Sequence, residues 1–252
     1  MNNTLIAFLL TFIAGFSTML GVLVIYIKSK NHNKIIMASL SFAAGVMITV
    51  SITDLIPESI LLLGNNLKNS TTIIISILAI VLGIIISMII DYYLPDKTIS
   101  NTKDKSLFKV GIISMIAIIL HNLPEGILTF LSSSVDIKLG LKLSIAIMLH
   151  NIPEGIAIAV PIYYSTGSRG KAVINTLISG LSEPIGAFLA YLFLYKYMSN
   201  FLISIILLFV AGIMISISIN DIFDEARKYS NKYILIGFIL GVIMIVVTQF
   251  VL

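Results

Sequence analysis

The sequence predicts an all-α integral membrane fold of eight transmembrane helices. Three observations carry that prediction. Of the 252 residues, 58% are hydrophobic and only 11% are charged, with a mean hydropathy of +1.07; a soluble domain has about 25% charged residues. Polar breaks divide the chain into eight apolar segments, each near the roughly 20 residues that a membrane crossing needs. Two of those segments resemble each other, which points to a 3+2+3 arrangement with spans 1–3 and 6–8 as an inverted repeat around spans 4–5.

The spans lie at about 4–27, 35–63, 72–94, 107–131, 141–164, 172–195, 200–225 and 231–252, and residues 1–252 read as a single transmembrane domain. The first follows the short uncharged start "MNN" without a basic leader or small-residue cleavage site, so it reads as a retained span, not a signal peptide. Spans two and seven share Leu40/Leu207, Phe42/Phe209, Ala44/Ala211, Gly45/Gly212, Met47/Met214, Ser51/Ser218, Ile52/Ile219, Asp54/Asp221 and Glu58/Glu225, 9 of 19 ungapped positions. Both methionines read as packing residues. Inverted repeats are a common plan for secondary transporters, with the substrate site near the midplane. The longest connection, 95–106, is polar, bears lysines and has no histidine.

Orientation follows the positive-inside rule. One set of alternate connections carries twelve basic residues: Lys28, Lys30, Lys34, Lys97, Lys103, Lys105, Lys109, Arg169, Lys171, Arg227, Lys228 and Lys232. The other carries four: Lys68, Lys138, Lys142 and Lys196. The rich side is expected in the cytoplasm, with both termini outside. The net charge of +4 is modest and gives no reason to expect a nucleic-acid partner. There is no cysteine, hence no disulfide and no thiolate ligand for a soft metal, and no tryptophan, so an interfacial belt rests on Tyr and Phe. His32, within "KSKNHNK", reads as a solvated loop residue.

Two spans carry what a lipid-facing helix excludes. Span four contains "LHNLPEGI" at Leu120–Ile127, and span five contains "LHNIPEGI" at Leu149–Ile156. Ionisable residues inside a membrane are costly and mark functional sites by default. In a helix, residues i and i+4 share a face, so His121 pairs with Glu125 and His150 with Glu154. Imidazole and carboxylate suit a borderline dication such as Zn²⁺, and two adjacent helices supply a four-coordinate set. Asn122 and Asn151 lie about 100° around from each His, with each Glu between His and Asn. A carboxylate so placed can bridge two ions, the second held by both Asn, both Glu and Glu183 of "SGLSEPIGA" in span six. Pro124 and Pro153 withhold a backbone donor and free the carbonyls of Leu120 and Leu149 for water or a cation. Asp54 and Asp221, near opposite ends of spans two and seven, are candidates for the two mouths of a path.

With these residues in view, the chain resembles the ZIP (Zrt-, Irt-like) divalent-metal transporters, nearest their bacterial ZupT-like branch. The resemblance covers essentially the whole length, and the doubled HNxPEG motif is highly specific. It implies uptake of Zn²⁺, often with Fe²⁺, Mn²⁺, Co²⁺ or Cd²⁺, across a bacterial plasma membrane into the cytoplasm. It also implies a binuclear centre with ligands at His121, Asn122, Glu125, His150, Asn151, Glu154 and Glu183, homodimers in the lipid bilayer, and no cofactor beyond the transported ion. Many relatives carry a His-rich loop between spans three and four, which is missing here. An intramembrane zinc-dependent hydrolase is the competing expectation; the lack of H-E-x-x-H and the two-sided symmetry weigh against an enzyme.

Overall fold

The computed structural model describes residues 3–28, 30–64, 67–93, 104–194, 199–229 and 233–251. Residues 95–103 of the polar connection, with Lys97 and Lys103, lie outside the described residues, as do Lys196 and Lys232. Among the described residues there is no strand, and eight helices are long and apolar enough to cross a membrane: α1 (Asn3–Tyr26), α2 (His32–Gly64), α3 (Asn69–Tyr93), α4 (Lys105–Val135), α5 (Ile137–Thr166), α6 (Arg169–Leu192), α7 (Asn200–Arg227) and α8 (Ile234–Val251).

Several helices begin where a short polar side chain can take up a free backbone N–H. Asn31 accepts from Lys34 N (3.2 Å), Asp104 from Leu107 N (3.1 Å), Ser168 from Lys171 N and Ser199 from Leu202 N (both 3.2 Å). The break between α4 and α5 is tighter than the sequence suggests. Asp136 alone separates them, and its carboxylate caps α5 by accepting from Lys138 N (2.8 Å). This one-residue reversal makes α4 and α5 antiparallel neighbours. At the other end, α5 stops at Gly167, whose φ of 70° is a left-handed value that glycine adopts without strain. His32 is not a loop residue: it opens α2, and its ring meets that of Tyr164 edge-on at 5.3 Å.

The helices pack as two groups. α1, α4, α5 and α6 form one; α2, α3, α7 and α8 form the other; α2 lies along α5 and α7 along α4. α3 and α8 leave rows of large apolar side chains exposed, Ile73, Ile77 and Leu78 on one, Leu235, Ile239 and Ile243 on the other. In a bilayer these rows face lipid.

The inverted repeat is written in the contacts. Gly45 of α2 has no room for a Cβ against the Phe238 carbonyl of α8, and its repeat partner Gly212 of α7 has none against the Ile80 carbonyl of α3. The converse holds as well: Gly83 abuts the Phe209 carbonyl and Gly241 abuts that of Phe42, themselves a repeat pair. α1 and α6 cross where Gly15 and Gly180 each abut the other's carbonyl. Small residues permit this approach in membrane bundles, where dispersion must replace the hydrophobic effect. Even the irregularities match. The α-helical winding of α2 widens to a π-turn at Ser51–Leu55, and that of α7 does so at Ser218–Phe223, placing Asp54 and Asp221 in equivalent bulges. Met47 and Met214 are both fully buried packing residues, as the sequence suggests.

The glycine contacts predict an ordering of stabilities. Gly83→Ala should cost about 1–3 kcal/mol, because a methyl group meets backbone that cannot turn aside, whereas Gly64→Ala meets nothing within 4 Å and should be neutral or mildly stabilising. Thermal unfolding of the solubilised variants measures this, and equal midpoints for the two would contradict the packing described.

Candidate metal centre

α4 and α5 carry the two motif copies, and α1 and α6 close over them. Gly126 of α4 lies against the carbonyl of Glu183 on α6, and Gly155 of α5 against the carbonyl of Thr18 on α1. Gly186 and Gly21 repeat this one turn on, against Leu123 and Ile152. The glycine that follows each motif glutamate therefore lets a second helix press against the site. α4 and α5 stay helical through Pro124 and Pro153.

All seven motif residues are buried, from 0% exposure for His121, Asn122, Asn151 and Glu183 to 7% for Glu125 and His150. His150 Nε2 is hydrogen-bonded to Glu125 Oε1 at 2.9 Å. His121 Nε2 stands 3.2 Å from Glu125 Oε2 and 3.5 Å from Glu154 Oε1. The imidazoles lie 6.1 Å apart between centroids. Glu125 thus sits between both rings, and ligand atoms of His121, His150 and Glu154 fall within 4.8 Å of one another. On the adjoining face, the Asn151 amide donates to Glu183 Oε2 and to the Ala14 carbonyl, both at 2.9 Å. Asn122, in the orientation that satisfies both ends of its amide, donates to Glu154 Oε2 and to the Ile118 carbonyl, both at 3.3 Å.

This arrangement leaves chemistry unspent. His121 Nε2 is close to Glu125 but outside hydrogen-bonding geometry, and neither nitrogen of His121 has a hydrogen-bond partner among the described residues. The same is true of Glu125 Oε2, Asn151 Oδ1 and Glu183 Oε1. Buried polar atoms are rarely left so. Nitrogen and oxygen donors converging in a buried pocket are what a divalent ion requires.

A cavity of about 400 Å³ reaches this cluster from one side only as far as Glu125 and His150. Its walls include Asp54 and Glu58 of α2, Ala146 of α5, and Thr248 and Gln249 of α8. Asp54 therefore stands on the approach to the centre, not in it. Asp221, the repeat counterpart of Asp54, lies near Asp91 of α3 and Lys109 of α4, which form an ion pair of 2.8 Å. Beyond it, Glu225 takes Lys228 Nζ at 2.7 Å and the Ser106 hydroxyl at 3.3 Å, and burial beside Asp104 and Glu225 pushes the Tyr229 phenol up. Glu225 is thus a structural clasp between α7 and the start of α4.

The sequence reasoning missed Gln249, which donates to Thr53 Oγ1 (2.6 Å) and to Asp54, and it missed the Asp91–Lys109 pair. Each was visible as an isolated polar residue at the end of an apolar segment, which is where ordinary solvated ends also lie.

The fold and site together define a polytopic membrane protein of inverted-repeat plan, built around a buried imidazole–carboxylate centre at its pseudo-symmetry axis. Residues 95–249 match the family described as ZIP zinc transporter. The chain belongs to this family. It is 37% identical to the zinc transporter ZupT of Oceanobacillus iheyensis over the whole of both chains, and 35% identical to that of Clostridium perfringens over 98% of this chain and 96% of the other. The ZupT of Streptococcus mutans is 37% identical over 96% of each.

The pairing of Asn151 with Glu183 carries a prediction. Asn151→Leu removes the only donor described for the Glu183 carboxyl and should lower the stability of the protein by about 1–3 kcal/mol, the cost of a stranded buried polar group. Thermal unfolding in chelator-treated detergent solution reads this, and an unchanged midpoint would rule the hydrogen bond out as a structural element.

Proposed function

We propose that this chain is a secondary carrier that takes divalent metal ions, Zn²⁺ first and Fe²⁺, Mn²⁺, Co²⁺ or Cd²⁺ by the same donor chemistry, into the cytoplasm. The observation that carries the reading is the cavity that leads from Asp54 and Glu58 to Glu125 and His150, and so joins one face of the bundle to the buried donor set. Membership of the family and the ZupT relatives support the metal as cargo. The positive-inside rule supports the direction: the Asp54 mouth opens outside, the lysine-rich mouth faces the cytoplasm, and both termini are extracytoplasmic in a bacterial plasma membrane.

The steps follow from the residues. Asp54 and Glu58 draw a hydrated cation into the cavity. His121, Glu125, His150 and Glu154 replace its water at the primary site. Asn122, Asn151 and Glu183, with the same two glutamates, provide a neighbouring site that lets the ion move in two short stages. Ligation needs neutral imidazole and ionised carboxylate, so a metal ion takes the place of the His150–Glu125 hydrogen bond and any shared proton leaves. The negative-inside potential favours entry of a dication by about 4.6 kcal/mol per 100 mV, twice the single-charge value. Asp221 then receives the ion at the cytoplasmic mouth.

Proteoliposomes test this directly. Zinc uptake should fall to background in Glu125→Ala or Glu154→Ala protein, and uptake equal to that of the unsubstituted chain would end the proposal. Because each ligand must lose its proton to bind, Zn²⁺ affinity measured by calorimetry should weaken steadily from pH 7.5 to about pH 5.5. A flat profile would mean that these groups do not ligate the ion.

A further inference from the structure

The repeat relates the two mouths residue by residue, and they are not in the same state. Asp54 and Asp221 are equivalent through the matched π-turns of α2 and α7. Eight residues past Gly83 stands Asp91, and eight residues past its equivalent Gly241 stands Gln249. Twelve residues before His121 stands Lys109, and twelve before His150 stands Lys138. One mouth therefore holds Asp54 and Gln249, the other Asp221, Asp91 and Lys109, with Lys138 the sequence equivalent of Lys109.

The first mouth is open. The walls of its cavity include Leu143 and Ala146 of α5. Both are part-exposed, whereas their repeat equivalents Ser114 and Ala117 are closed off at 0% and 1% exposure. The second mouth is thus the first with its walls brought together, and a lysine spans its rim. Lys109 of α4 binds Asp91 of α3 at 2.8 Å, and Asp221 lies beside both within hydrogen-bonding reach of Asp91. The pair joins one helix group to the other, since α4 belongs with α1, α5 and α6, and α3 with α2, α7 and α8. At the open mouth, by contrast, Gln249 binds Asp54 and Thr53, a contact between α8 and α2 that stays within one group.

We infer that Lys109 is a latch: its ammonium ties the two helix groups together across the Asp221 mouth while the Asp54 mouth is open, and a metal ion arriving from the centre displaces it from Asp91 and Asp221. The latch rests on the reading of the α4–α6 centre as a transport site. Lys109 Nζ is a tethered cation bound to Asp91 beside Asp221, so it offsets part of the negative charge that the cargo must pass until a dication competes for it. The pair is part-exposed, at 22% and 43% of the two side chains, which keeps it weak enough to open. At the outer mouth the equivalent of Asp91 is the neutral Gln249, so Lys138 finds no counterpart of the Asp91 carboxylate there when the movement reverses. The charged latch is therefore on the Asp221 side, and the resting protein favours the state with the Asp54 mouth open.

The chain has no cysteine, so single thiols report access without background. S114C places a thiol in the wall of the closed mouth, and A146C one in the open cavity. In membrane vesicles of defined sidedness, K109Q should make S114C react roughly three- to fivefold faster with an impermeant maleimide from the lysine-rich side, the shift that loss of one part-exposed ion pair supports. It should slow A146C from the other side, and K109R should leave both rates as they are. An S114C rate unchanged by K109Q, or raised equally by K109R, overturns the latch. If K109Q does not accumulate in the membrane, the swap K109D/D91K must restore protection of S114C, and exposure in the swap overturns the latch too. Radiozinc uptake by the S114C vesicles separates the two proposals. Uptake with no response to K109Q removes the latch alone, and a response without uptake removes the transport reading.

Discussion

Everything in this bundle answers to the cost of placing two histidines and three glutamates inside a membrane. No one of them is tolerable alone, since an isolated charge in hydrocarbon has no partner and no water. Glu125 resolves most of the problem by lying between both imidazoles, which requires α4 and α5 to touch at mid-height. Asp136 enforces this by reversing the chain in one residue. Glu183 is resolved by the Asn151 amide, which requires α6 to approach α4 and α5 more closely than side chains permit; Gly126 and Gly186 remove the obstruction. Glycine placement is thus a consequence of the charge problem. The pseudo-symmetry also exposes an asymmetry. Thr18 of α1 meets Gly155 as Glu183 of α6 meets Gly126, so the frame offers two places for a sixth-helix-type carboxylate and fills one. A fourth buried carboxylate would add a negative charge that the described donors do not answer.

The same symmetry explains how a buried site can be reached at all. Two helix groups, each internally symmetric through the inverted repeat, can exchange the arrangements of their two ends without changing the contacts within either group, because each end is built from equivalent residues. The glycine contacts of α2 with α8 and of α7 with α3 lie inside one group and need not break. What changes is the passage between groups, where α2 runs along α5 and α7 along α4. Both α2 and α7 carry a π-turn, the local widening that recurs at functional sites and spares a helix from having to bend as a rigid rod.

Much of this was legible in the sequence, for identifiable reasons. Spans emerge because lipid imposes composition, so the eight segments coincide with eight helices to within a few residues at most ends. The centre emerges because His121/Glu125 and His150/Glu154 keep helical spacing in chain that otherwise excludes charge. The repeat emerges because close helix contact demands glycine at fixed places, Gly45 and Gly212 among them. What did not emerge depends on partners distant in sequence. Gln249 matters through Asp54, and Lys109 through Asp91; each by itself is an ordinary polar residue near a helix end. Which donor of Asn151 faces Glu183 was equally hidden, since spacing places a side chain on a face but does not orient an amide. The length of the α4–α5 break was overestimated because Asp136 caps a helix from inside what composition alone presents as a polar connection.

On the proposed transport reading, charge and donor type together set which ions the centre takes. In the centre, Glu125 is already engaged by His150, and Glu183 by Asn151. An entering ion must give back more than these hydrogen bonds together with its own hydration. The attraction between an ion and a set of carboxylates scales with the ion's charge and the protein contacts to be displaced are the same for any ion, while the hydration to be replaced rises more steeply with charge and falls to the donors to repay. A monovalent cation receives half the attraction of a dication for the same displacement, and the imidazole nitrogens, unlike carbonyl oxygens, favour the borderline transition ions over the hard alkali ones. Anions are repelled outright by Asp54 and Glu58 at the entrance. Among dications the balance is finer: nitrogen donors favour Zn²⁺, while Asn and Glu oxygens admit Mn²⁺ and Fe²⁺, and no thiolate is present to draw the soft ions further. On the proposed transport reading, a broad choice among borderline divalent metals is what nitrogen and oxygen donors without a thiolate support.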